Sequence, residues 1–254
     1  MNDTSVALQN AINAFNVGDF QTSVLFLKQA FDANGLFLEN EAVHYVSTFP
    51  VKEKGQFWKA PEGLFGTYSN VKDVFESIYE NAIWGGGSGA GSDLSRTVVY
   101  VAYVQHIMDK YLVKSVVDIG CGDWRFSKYI DFSGCKYLGV DIVESVISAN
   151  IKNYGNNNII FQLGNATEFE IPKCDLLLCK DVLQHLSNKN VRAILHKSRV
   201  ATRALFTNDF YPVNEDCNDG DTRPLNIASA PFDMKTVPRL AFNGKVTFLV
   251  DTIG

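Results

Sequence analysis

The sequence predicts an α/β domain: a doubly wound, mostly parallel, seven-stranded sheet closed by a C-terminal antiparallel hairpin, with a helical cap ahead of it. Three observations carry this. From residue 115, short and nearly continuous apolar runs rich in β-branched residues alternate with helical stretches, the pattern of parallel strands covered on both faces. The closing run PRLAFNGKVTFLVDTI sets two strand-like segments around Asn243-Gly244, the strongest short hairpin signal. Residues 5–48 read as helices before any strand appears.

The elements follow in order. VALQNAINAF spaces Val6, Leu8, Ile12 and Phe15 near the helical period. Asp19 caps a second helix, FQTSVLFLKQAF, which Asn34-Gly35 is expected to end. A third helix is expected through 39–48, and the aromatic, Gly- and Pro-containing stretch 50–69 reads as an ordered connection. The helix pair looks like half of a tetratricopeptide unit, but a stable array takes about three repeats. Residues 1–70 are therefore read as a cap and connection, and 71–254 as the main domain. In that domain VKDVFESIYENAIW (71–84) predicts a helix, and DLSRTVVYVAYVQHIMDKY (93–111) another with Asp93 as N-cap. SVVDIG is strand one and DWRFSKYI a helix; KYLGVD is strand two and VESVISANIKNY a helix. NIIFQLGNA is strand three, CDLLLCKD strand four, SNKNVRAILHKSRV a helix and RALFTND strand five.

Composition narrows the function classes. The net charge of −5 comes with scattered Lys and Arg, whereas phosphate-backbone binding needs a concentrated basic patch. The densest basic group, VRAILHKSR (191–199), reads as a solvated helix face, so no nucleic-acid partner is expected. No apolar stretch approaches the ~18 residues of a membrane span, and the start MNDTSVALQN has neither a basic nor an apolar leader segment. Five cysteines (121, 135, 174, 179, 217) form no CxxC pair. They read as reduced thiols of a cytoplasmic protein, with Cys174 and Cys179 in the core. No His/Cys spacing suits a metal, and the sequence does not set the oligomeric state.

In open α/β sheets ligands sit beyond the carboxyl ends of the strands. The turn after strand one is DIGCGDW. Gly120 and Gly122 let the backbone bend sharply and let a ligand approach without a Cβ in the way. Asp141 closes strand two, where a carboxylate can accept both ribose hydroxyls of a nucleoside. A dinucleotide fingerprint needs a third small residue at the place held by Arg125, and phosphate-loop spacing is absent. The acid Asp118, two residues before the first glycine, suits a ligand with a cationic group, such as a methionine ammonium. It would repel a pyrophosphate.

With VVDIGCGDW, YLGVD, GNAT and CDLLLCKDVLQHL in that order, residues 115–210 resemble class I S-adenosylmethionine-dependent methyltransferases of Rossmann-like fold. The resemblance implies S-adenosyl-L-methionine as cofactor. It places Asp118, Gly120, Cys121 and Gly122 around the methionine part, Asp141 on the ribose, Ile142 against the adenine, and Asn165 with Ala166 at the adenine edge. The chain departs from the family at Trp124, where a third glycine is common. More narrowly, IYENAIWGGGSGAGS followed by these motifs is similar to a subgroup of small bacterial-type methyltransferases. Similar domains occur with sugar and polysaccharide biosynthesis, which implies a small-molecule or glycan hydroxyl as acceptor.

The glycine run between two helices, WGGGSGAGS, stands before strand one, where segments of the resembled family fold over the cofactor. Backbone N–H groups of such a run can cradle a carboxylate, and Ser88, Ser92 and Arg96 add donors. Trp84 to Arg96 is read as a lid over the methionine carboxylate and the substrate mouth, against a plain linker. The turn after strand four offers Lys180, Asp181, Gln184 and His185 as chemistry-bearing side chains. His185 is read either as base or as a packing residue. Asn208 and Asp209 end strand five at the next rim position. Arg223, in the long loop 218–232, is read as a substrate-anion ligand or as a salt-bridge partner of Asp219 or Asp221. Two other classes are kept in view: a non-catalytic module that binds a nucleoside or a partner through the cap, and a nicotinamide-dependent oxidoreductase, against which Arg125 speaks.

Overall fold

The structure, a computed structural model, describes residues 3–48 and 70–252. The predicted connection over 50–69 lies outside these residues. Seven strands form one sheet: β1 (Ser115–Ile119), β2 (Lys136–Asp141), β3 (Ile159–Leu163), β4 (Leu176–Lys180), β5 (Arg203–Asp209), β6 (Val237–Phe242) and β7 (Lys245–Asp251). Their spatial order is β3-β2-β1-β4-β5-β7-β6. The first five pair in parallel, and β7 runs antiparallel to both β5 and β6. The chain leaves β1 toward β2 and returns across it to β4, so the crevice between the β1 and β4 tips is the topological switch point.

Strand side chains alternate between two cores. Leu176 and Leu178 of β4 join Val116 and Leu205 under Val101, Val104 and Ile107 of α4 (Leu94–Lys110). Leu177 and Cys179 face the other way, against Ile194 and Leu195 of α6 (Asn188–Lys197), with Phe206 and Phe248. Each such side chain contributes ~1.5–3 kcal/mol by leaving water. Helix α5 (Glu144–Tyr154) links β2 to β3. Cys174 and Cys179 are core residues, and Cys121, Cys135, Cys174, Cys179 and Cys217 are all free thiols.

The N-terminal helices are α1 (Asp3–Asn16) and α2 (Phe20–Thr48). Asp19 does cap α2, accepting the Thr22 N–H at 3.0 Å. The path breaks where expected: Asn34 takes non-helical φ −151°, ψ 41°, so two helical segments meet there, and the second begins a few residues before the expected 39–48. Contacts on both sides hold the bend. Before it, Asp32 bonds His106 at 2.6 Å and Phe31 meets Tyr103; after it, Glu39 pairs with Arg239 at 2.5 Å.

Two further elements differ from the prediction. Helix α3 (Val71–Glu80) stops four residues before Trp84, because Ala82 takes φ +50° and the chain turns back. The helix expected over 123–130 is only a short 3-10 turn at Ser127–Tyr129. Trp124 takes φ +55° and buries its indole among Tyr137, Tyr154 and Phe161; left-handed backbone is incompatible with a helix starting there. Among the described residues no helix is long and apolar enough to cross a membrane.

Candidate active site

One cavity of about 370 Å³ opens at the switch point, and the tips of β1, β2, β4 and β5 all reach it. It begins with the glycine turn. Gly120 and Gly122 take φ of +71° and +56°. A Cβ on Gly120 would collide with Val182, and one on Gly122 with the Ser88 hydroxyl. Only glycine combines that backbone with that clearance. Trp124 points away from the cavity into the core, so its bulk takes no space from a ligand.

Asp118 ends up fully enclosed, with the Tyr137 hydroxyl donating to it at 2.7 Å. Burial pushes its carboxyl up to about 7; nearby Asp141 adds to the shift and the Tyr137 bond opposes it. The Lys180 charge also favours the ionised form, without overcoming the burial. Asp141, at the β2 tip, accepts the Gly122 N–H at 2.9 Å and the Val143 N–H at 3.1 Å. These bonds tie the β2 tip to the glycine turn and fix the carboxylate along the cavity wall. Ile142, Asn165 and Ala166 continue that wall. Asn165 Oδ1 accepts the Thr167 N–H and hydroxyl, which holds the loop after β3 closed. Cys121 is buried in the turn, its thiol raised by burial.

The glycine run folds across the cavity. Ser88, Gly89, Ala90, Gly91 and Ser92 all line it. Ser88 is anchored to the turn after β1: its N–H donates to Asp123 at 3.2 Å, and its hydroxyl accepts the Asp123 N–H at 2.8 Å and pairs with Tyr79 at 2.8 Å. Ser92 donates to the Ser88 carbonyl. Both serine hydroxyls are thus engaged within the protein. Asp93 holds the N-cap position but its side chain makes no cap bond. It pairs instead with Arg125 at 2.7 Å, and Arg125 also reaches Asp123 at 2.9 Å. The residue that breaks a dinucleotide fingerprint is therefore a staple between the start of α4 and the glycine turn. Trp84 and Arg96 line the cavity at either end of this run.

On the opposite side, charges alternate along the tips of β4, β5 and β7. Lys180 pairs with Asp181 at 2.5 Å, Asp181 with Lys245 at 2.8 Å, and Lys245 with Asp209 at 2.6 Å. Lys180 also donates to the Gly91 carbonyl at 3.0 Å, docking the glycine run on this cluster. Burial alone would raise the Asp181 carboxyl, but the two lysines outweigh it and hold it below the usual range. Asp181 takes φ +58°, an unfavourable backbone for a residue with a Cβ. Lys180 and Asp181 are thus committed to each other, while Asp209 lines the cavity with its side chain 40% exposed.

His185 is buried beside them, its basicity lowered chiefly by burial. Its Nδ1 lies 3.1 Å from the Asp221 carbonyl and 3.1 Å from the Thr222 hydroxyl. A carbonyl only accepts, so Nδ1 carries the proton. Gln184 fits this: its Oε1 accepts the Asp209 N–H, leaving its amide N–H groups toward His185 Nε2 at 3.4 Å. Nε2 is then the bare nitrogen. Both expectations for Arg223 are corrected. Its guanidinium is buried and donates to the Glu215 and Leu186 carbonyls, so it neither faces a ligand nor pairs with Asp219. Asp219 is occupied by the Ser187 N–H and Asn190.

The sequence points to Asp118, Gly120, Cys121, Gly122, Asp141, Ile142, Asn165, Ala166, Trp84, Arg96, Lys180, Asp181, His185 and Asp209, and all of them line the cavity. It does not single out Phe75, Tyr79, Tyr100 or Lys245. Lys245 had a signal: once the hairpin is recognised, it sits opposite Asp209 in the β5–β7 register. Among the described residues no group of three His, Cys, Asp or Glu side chains is placed to hold a metal.

Residues 117–203 match the family model of the methyltransferase domain. That segment spans most of β1 through β4, with the glycine turn, Asp141 and the β4 turn, and the match supports a Rossmann-like S-adenosylmethionine-dependent methyltransferase domain there. No curated protein matches the chain. Among solved structures, magnesium protoporphyrin IX methyltransferase from Synechocystis PCC 6803 with bound SAM is 18% identical, with a TM-score of 0.48 over 72% of this chain and 97% of that one. Human N-acetylserotonin methyltransferase in complex with SAM is 14% identical, with a TM-score of 0.48 over 88% of this chain and 69% of that one.

Proposed function

We propose that this domain methylates a hydroxyl oxygen of a small molecule or glycan, with S-adenosylmethionine as methyl donor and His185 as general base. The residues fit the cofactor on two physical counts: a buried carboxyl at the β1 tip that forms no salt bridge among the described residues, and a left-handed glycine turn that lines the cavity beside it. Asp118 would take the methionine ammonium, the Gly120–Gly122 backbone the methionine chain, Asp141 the ribose hydroxyls, and Ile142, Asn165 and Ala166 the adenine. When bound, the cofactor supplies a sulfonium methyl group that a nucleophile displaces.

A hydroxyl acceptor must lose its proton as it reacts, and Nε2 of His185 is the basic atom available to receive it. The neutral, Nδ1-protonated ring carries this reading: the base is already in its accepting form before the acceptor arrives. Asp209, paired with Lys245 and lining the cavity, would accept a further hydroxyl of the acceptor. Trp84 and the glycine run cover the reacting groups and exclude water. Alignment of nucleophile and methyl provides the remaining rate enhancement, up to ~7–11 kcal/mol in the best cases.

The test is methyl transfer to a panel of hydroxyl, amine and carboxyl acceptors, followed by His185→Gln on any acceptor that turns over. Turnover lower by roughly 100-fold with unchanged cofactor affinity is expected. Full turnover by the variant rejects His185 as base, and cofactor binding with no transfer to any acceptor favours a purely binding role.

A further inference from the structure

The long loop between β5 and β6 is fastened to the turn after β4 at several points. Gly220 N–H donates to the His185 carbonyl at 2.8 Å, and Arg223 N–H to the Gln184 carbonyl at 3.0 Å. Leu225 N–H reaches the Asp209 carbonyl at 2.9 Å. The Arg223 side chain completes the attachment. It is 2% exposed, and its guanidinium lies over the Phe232 ring, 5.7 Å from the centroid. One terminal nitrogen donates to the Leu186 carbonyl at 3.1 Å and the other to the Glu215 carbonyl.

A buried arginine spent on two backbone carbonyls is an expensive way to close a loop. The geometry gives it a purpose. Leu186 follows His185 directly, and Asp221 and Thr222 stand immediately before Arg223. The fork therefore holds together the two strands of chain that meet at His185 Nδ1. On one side is the imidazole; on the other are the Asp221 carbonyl and the Thr222 hydroxyl, each 3.1 Å away. The backbone bonds of Gly220 and Arg223 set the course of the loop, and the fork adds the side-chain attachment that limits how far the Asp221 carbonyl drifts from Nδ1.

We propose that Arg223 is a positioning residue that holds the Asp221 carbonyl against Nδ1 of His185 and so leaves Nε2 bare toward the cavity. The proposal rests on the reading of His185 as base for its catalytic meaning, but the tautomer is measurable without any acceptor. A guanidinium suits the task because its planar fork addresses two carbonyls at once with fixed geometry; a lysine ammonium reaches only one with comparable alignment.

The experiment is long-range proton–nitrogen correlation NMR of the 15N-labelled full chain at neutral pH. His185→Gln identifies the His185 ring signals among the four histidines. The wild-type ring is expected to show a protonated Nδ1 and an unprotonated Nε2. Arg223→Met, checked for folding by circular dichroism, is expected to move both ring nitrogens toward a mixture of tautomers. Should that variant fail to fold, Arg223→Lys is read in the same way and is expected to show a smaller shift of the same sign. A wild-type proton on Nε2 overturns the proposal, and so does a folded Met or Lys variant with the wild-type pattern. Full turnover by His185→Gln is a separate failure: it removes the base reading, and with it the catalytic role of Arg223, while leaving the measured tautomer intact.

Discussion

The indole of Trp84 lies against the imidazole of His185, ring centroids 4.6 Å apart and planes tilted by 32°. Trp84 opens the glycine run, and His185 sits on the turn after β4, so this contact joins the cover of the cavity to its proposed base. Phe75 and Tyr79 of α3 brace the indole from behind, edge to face, at 5.9 and 6.1 Å.

Trp84→Ala is therefore expected to loosen the cover and to destabilise the domain. Its three aromatic contacts are worth ~0.5–1.5 kcal/mol each, about 1.5–4.5 kcal/mol together, which at roughly 2–4 °C per kcal/mol lowers Tm by about 3–18 °C. Amide hydrogen exchange over residues 85–92 is expected to quicken more than that of β1 and β4. Unaltered exchange in the glycine run removes Trp84 from any role in closing it.

Asp118 makes cofactor binding depend on pH. Its carboxyl titrates at 3.8 when unperturbed and at about 7 in the fold, raised by burial. In that window the folded chain holds a proton that the unfolded chain has lost. The associated stability is complete below 3.8 and disappears as pH rises through about 7. A ligand ammonium needs the ionised form, so binding near neutrality releases a proton and affinity rises with pH through about 7. Calorimetry in two buffers of different ionisation enthalpy reads that proton directly. Asp118→Asn is expected to abolish both the release and the pH dependence.

Lys245 is the shared partner of Asp181 and Asp209. Removing one partner of a buried pair costs ~3–5 kcal/mol, discounted to about 2–4 here because Asp209 is partly solvated. Lys245→Met is thus expected to lower Tm by roughly 4–16 °C. Lys245→Arg, which keeps the charge, is expected to recover most of it. Equal Tm values for wild type and Lys245→Met contradict an ionised cluster.

Most of this site could be read from the chain because it is local. The alternation of apolar runs fixed the strands, and Asp118, Gly120, Gly122 and Asp141 lie at strand tips that the same alternation defines. What escaped depends on distant packing. Trp124 breaks a plausible helix because an aromatic cluster drawn from β2, β3 and α5 accepts its ring. Arg223 reads as an anion ligand or a salt-bridge partner of Asp219 or Asp221 because nothing near it in sequence announces that its partners are the carbonyls of Leu186 and Glu215. Lys245 meets Asp181 across 64 positions of chain, a distance over which no periodicity speaks. The Asn34-Gly35 signal is local too, and the helical path does break at Asn34; the segment after it is held by the distant pair Glu39–Arg239.

The central claim is that the acids at the β1 and β2 tips and the glycine bend between them form one cofactor cleft. Asp141 is its most direct probe, since its carboxylate both pins the Gly122 amide and lines the cavity. The deciding measurement is calorimetric titration of S-adenosylmethionine into wild type and Asp141→Ala, each shown to be folded. The account predicts saturable binding to wild type and an affinity at least about ten-fold weaker in the variant, about 1.4 kcal/mol or more. Equal affinity in the two proteins, or no binding to wild type, contradicts it.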